Sequence, residues 1–99
     1  MIIFKTKAGL KNHLRKIKNS KKTVGFVPTM GALHRGHLAL IKNSLKANDV
    51  TVCSIFVNPT QFNNKKDYEL YPTPVEKDIL LLLETGCDIL FLPTVNEMY

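Results

Sequence analysis

Acidic residues are missing from the first 48 positions of this 99-residue chain: all eight lie from Asp49 onward, while eleven of the fourteen lysines and arginines precede it. The first half therefore carries about +11 and the second about −5. Such asymmetry can mark a nucleic-acid surface. Here, however, the lysines of KNHLRKIKNSKK fall on the polar positions of an amphipathic helix and its exit, with no aromatic residue interleaved to stack bases. No nucleic acid is expected as a partner; a general attraction for small anions is.

Also lacking is any apolar run near the roughly 18 to 20 residues that a membrane-spanning helix needs, so no membrane association is expected. The N-terminus MIIFKTKAGLKNHLRK puts its apolar residues before its lysines, the reverse of an export signal, and a cytoplasmic location follows as the expectation. Cysteine is scarce: Cys53 and Cys87 sit in or beside apolar segments without CxxC spacing. That excludes a disulfide framework and a zinc site, and reads as two buried free thiols in a reducing compartment. There is no repeat or low-complexity stretch, and the length suits one small domain around one core.

What is present alternates. IIF (2–4) is a short strand, with Thr6 placed to cap a helix whose apolar set is Leu10, Leu14 and Ile17, running to about Lys18. TVGFV (23–27) is an apolar strand expected to stop at Pro28, which cannot donate to a ladder. GHLALIKNSLKAN follows, with Leu38, Ile41 and Leu45 on one helical stripe, and then DVTVCSIFV (49–57), apolar on both faces as a strand covered from both sides must be. NPTQFNNKKDYELYPTP has no clear period and reads as loop with room for one short helical turn. VEKDILLLLETG is a helix from about Pro74 stopped by Gly86, CDILFLP is a last buried strand, and TVNEMY is expected to trail away. Strands alternating with helices predict an α/β fold on a parallel sheet, in which ligands bind beyond the carboxyl ends of the strands. The loops PTMGALHRGH and NPTQF both lie at that edge.

VPTMGALHRGH (27–37) is poor in packing residues. Gly31 and Gly36 let backbone approach a ligand or take positive φ. His34 and His37, three apart at a helix start, share a face beside free backbone N–H groups and the positive end of the helix dipole, which makes an anion site. Two imidazoles there would hydrogen-bond phosphate oxygens and stabilise charge in phosphoryl transfer, and a nucleoside triphosphate fits. His-x-x-His also offers two metal ligands, but no further His, Cys or acidic residue nearby in sequence completes a shell, so no protein-held metal is expected. The plainer alternative is that one histidine caps the helix and the other packs.

HRGH at a helix start after a strand resembles the His-x-Gly-His signature of the nucleotidyltransferase superfamily, shared with class I aminoacyl-tRNA synthetases. PTMGALHRGHLALI with FVNPTQF and the downstream Tyr71-Pro72 resembles the pantoate–β-alanine ligase family, from about residue 24 to the end. The resemblance implies a Rossmann-like parallel sheet of the His-x-Gly-His type, truncated, with residues 1–99 an N-terminal part of the nucleotide-binding domain and the C-terminal domain lying outside them. It implies a ligase that condenses pantoate with β-alanine through pantoyl adenylate, with ATP as substrate, magnesium accompanying it, and a homodimer when full length. By position it implies that Met30, Gly31, Ala32, Leu33, His34, Arg35, Gly36 and His37 bind ATP and that His34 and His37 are catalytic, His37 being the family's assigned proton donor. The residues themselves assign that pair an electrostatic task. The resemblance further places Gln61, Asn58, Met30, Phe62 and Tyr71 around pantoate, and Gln61 on β-alanine. The family's Tyr-Pro-Arg is Tyr71-Pro72-Thr73 here, so a positive charge expected near the pocket is absent. Only about the first third of such an enzyme is present, and these residues are expected to be inactive alone. Another nucleotidyltransferase, or a non-catalytic assembly module, are the alternatives.

Overall fold

The computed structural model describes residues 1–56 and 75–98. Their elements are β1 (Ile2–Phe4), α1 (Lys7–Asn19), β2 (Val24–Thr29), α2 (Arg35–Ala47), β3 (Val50–Ile55), α3 (Val75–Thr85), β4 (Ile89–Phe91) and α4 (Val95–Met98). The four strands form one sheet in the order β1-β4-β3-β2, with every pairing parallel. This is the expected Rossmann-like α/β architecture.

Local chemistry accounts for the element ends. The Thr6 hydroxyl accepts from the Gly9 N–H at 3.1 Å and starts α1. Gly86, at φ +95°, closes α3 in a backbone conformation open to glycine, its N–H returning to the Leu82 carbonyl. Two ends differ from expectation. β2 passes through Pro28 to Thr29, with Pro28 opposite Ser54. The carbonyls of Thr23 and Thr29 accept from Val50 and Phe56, so the odd positions bond inward and Pro28 points to the side of β2 away from β3, where no described strand asks for a donor. TVNEMY does not trail away: Thr94 caps the short helix α4, and Glu97 accepts the Lys7 N–H at 2.6 Å, tying this turn to the head of α1.

The core lies between the sheet and α2 with α3, where Val27, Ile41, Cys53, Ile55, Leu82, Cys87 and Leu90 pack together. Ile41 of the predicted α2 stripe is fully buried, with Leu38 and Leu45 packed beside it. Among the described residues, α1 lies against the other face at its β1 side, its His13 ring 5.2 Å from that of Phe4. Leu10, Leu14 and Ile17 are therefore half-buried, and Phe26 at the far side of that face stays 57 % exposed. Both cysteines are free and buried; burial pushes the Cys53 thiol up to about 12 and raises that of Cys87, so both stay protonated and unreactive.

Candidate functional site at the head of α2

β2 ends at Thr29, and the chain reaches α2 through five residues that turn sharply. Gly31 is buried at φ +89°, and a Cβ there would lie 3.4 Å from both Asp78 Oδ2 and Ile55 Cγ2. Ala32 follows at φ +51°. That left-handed conformation costs a residue with a side chain about 1–2 kcal/mol and persists only where neighbours impose it.

The neighbours are visible in the hydrogen bonds. The Thr29 hydroxyl donates to the Ser54 carbonyl and accepts from the Gly31 N–H. Asp78, on α3 and 1 % exposed, accepts the Ala32 N–H at 3.0 Å and the Leu33 N–H at 2.9 Å, one on each carboxylate oxygen. His37 Nδ1 accepts the His34 N–H at 3.2 Å, and His34 Nδ1 accepts the Gly36 N–H at 3.0 Å. The N–H groups of residues 31, 32, 33, 34 and 36 thus all have protein acceptors. This narrows the expectation of free backbone N–H groups beside the histidines, because these five donors are spent in folding the loop.

His34 does cap the helix, as the plainer alternative held, yet capping leaves the ring available for other work. Each imidazole uses Nδ1 as an acceptor, so the proton of each neutral ring sits on Nε2, a donor on the far edge. The rings lie 4.1 Å apart and both line a cleft of ≈ 370 Å³ with Thr29, Met30, Gly31 and Ala32. Gly36 serves this arrangement by close approach, since a Cβ there would come within 2.9 Å of His34 Cε1.

Burial and the neighbouring His34 lower the His37 pKa from the ordinary 6.5, with Asp78 opposing. Below pH 6.5 the unfolded chain then binds more protons than the folded one, so stability rises with pH in that window. The cap is complete above pH 6.5 and lost as the pH falls through the depressed folded value, because a protonated Nδ1 cannot accept. An NMR titration of the His37 ring is expected to show a midpoint below 6.5, and a midpoint above it counts against this cap.

Of the other predicted site residues, Met30 lies partly exposed between this cleft and a second one of ≈ 360 Å³ at the carboxyl ends of β2, β3 and β4, which Phe26, Ser54, Phe56 and Phe91 also line. Leu33 packs on the core, and Arg35 is exposed at the first residue of α2. Asn58, Gln61, Phe62, Tyr71 and Thr73 lie outside the described residues. Sequence reasoning missed Asp78, an aspartate in an apolar helix one turn before Leu82. Its place on the buried stripe was the available signal, because an unpaired charge does not belong there.

A parallel α/β sheet with a His-x-Gly-His helix start at its carboxyl edge defines a Rossmann-like unit built to present two histidines. The sequence profile of the pantoate–beta-alanine ligase family matches residues 2–99, and the chain belongs to that family. It is 52 % identical over its whole length to pantothenate synthetase of Porphyromonas gingivalis, and 57 % identical over 90 residues to that of Cytophaga hutchinsonii. It spans 35 % and 32 % of those relatives' lengths. All of it superposes on 38 % of the pantoate–beta-alanine ligase of Francisella tularensis, solved with beta-gamma ATP and beta-alanine, with TM-score 0.82 and 46 % identity.

Proposed function

We propose that the full-length protein is an ATP-dependent ligase that joins pantoate to β-alanine, and that residues 1–99 carry its triphosphate-facing edge. The pantoate carboxylate attacks the α-phosphorus, the bond to the β-phosphate breaks, and pyrophosphate leaves. The β-alanine amine then attacks the acyl carbon, the acyl–phosphate bond breaks, AMP departs, and the amine proton passes to solvent. The observation that carries this reading is the pair of imidazoles locked through Nδ1 with Nε2–H free to donate. Donors held in place before charge builds on the phosphates are what such a transfer needs.

Met30 to His37 make the ATP stretch in this reading, with His34 and His37 as phosphate donors and the loop backbone as their support. The cleft beside Met30, lined by Phe56 and Phe91, suits the methyls of pantoate. Asn58, Gln61, Phe62 and Tyr71 complete the pantoate pocket, Gln61 also meets β-alanine, and magnesium enters with ATP. We place the protein in the cytoplasm, which buried free thiols suit, as a homodimer when full length. Residues 1–99 alone hold part of the pocket and turn over no substrate.

The test is pyrophosphate–ATP exchange by the full-length protein. Exchange with pantoate alone, and net AMP and pantothenate only when β-alanine is added, is the expected result. ADP in place of AMP, or exchange without pantoate, rules the reading out.

A further inference from the structure

The loop that presents the two histidines makes a left-handed turn at Ala32, and what holds that turn is a carboxylate 46 positions away in sequence. Asp78 is buried in the first turns of α3, where the helix dipole favours an anion. Both of its oxygens point at the loop and take its two central N–H groups. Each bond is charge-assisted and shielded from water, so it is stronger than an ordinary turn bond. Gly31 precedes that turn at φ +89°, a left-handed conformation that a residue with a side chain rarely adopts.

The geometry points to Asp78 as a positioning residue of the reaction proposed above: by drawing in the Ala32 and Leu33 N–H groups it sets the curl that aims His34 and His37 at the triphosphate. The inference rests on that reading for its substrate but not for its geometry. Asp78 also keeps these two donors away from the ligand, so the imidazole edges, and not the Ala32 and Leu33 amides, face the triphosphate. Its charge reaches His37, where it acts against burial and His34.

The experiment is Asp78→Asn in the full-length protein. An amide can accept one of the two N–H groups but turns its NH₂ toward the other, so one donor is left facing a donor. The KM for ATP is expected to rise at least about tenfold, while the KM for β-alanine stays within roughly twofold. A lower melting temperature with both KM values unchanged would make Asp78 a core group only and overturn the inference. Should Asp78→Asn not fold, Gly31→Ala strains the same turn through its φ of +89° and is expected to raise the ATP KM selectively; an unchanged KM there overturns the inference equally. A wild-type protein without ligase activity would sink the proposed function, and the positioning would then be read by NMR. The Ala32 and Leu33 amide protons are expected to move upfield in Asp78→Asn, and the His37 midpoint to fall; unmoved signals refute it.

Discussion

Alanine at His37 is expected to lower kcat of the full-length protein by roughly 10²–10³-fold, the usual cost of removing one preorganised donor from a developing oxyanion. Two losses combine. On the proposed function the Nε2–H no longer meets the phosphates, and the His34 N–H loses the acceptor that completes the cap. The second loss is a capping loss and costs about 1 kcal/mol, too little to unfold the chain. His34→Ala releases the Gly36 N–H instead. Because the rings are 4.1 Å apart and share one hydrogen-bonded turn, the double variant should be less impaired than the product of the single effects. Steady-state pyrophosphate release with a circular-dichroism melt of each variant checks this. A His37→Ala enzyme within about tenfold of wild type, with its fold intact, would remove the pair from the chemistry.

Leu82→Ala is expected to destabilise the folded chain by about 3 kcal/mol, the middle of the range for a buried leucine truncated in a packed core. Leu82 is fully buried among Val27, Ile41, Ile55 and Leu90, where the sheet, α2 and α3 meet, and it sits one turn after Asp78 on the same face of α3. A cavity there loosens the helix that carries the loop's carboxylate, so the loss of stability should bring a weaker hold on the His34–His37 turn. Leu80, 59 % exposed on the same helix, provides the control: Leu80→Ala should change stability by less than about 0.5 kcal/mol. Urea unfolding of both variants checks the contrast. Equal effects would mean that α3 is rotated from the orientation described.

These two leucines mark where sequence reading stops. ILLLLET places a helix, but four leucines in a row fit every rotation of it, and only the positions of α2 and the sheet make Leu82 the inward one while Leu80 and Leu83 face out. The strands were legible because each is β-branched and apolar between breakers, and the histidine pair because glycines and a helix start flank it. Pro28 misled for a physical reason. Proline ends a strand paired on both sides, and whether a strand has a neighbour on its proline side is a property of the sheet, not of the five residues before it.

The amino-acid order alone determined the alternation of strands and helices and the parallel sheet, and it marked the head of α2 as the candidate site, because periodicity, caps and glycines act over a few residues. Tertiary structure decided which donors of that loop remain for a ligand. Five of its N–H groups are taken by Thr29, Asp78, His34 and His37, and the deciding carboxylate arrives from a helix 46 residues further along. Contacts of that span leave no local pattern, since they exist only once β2, α2 and α3 have packed against one another.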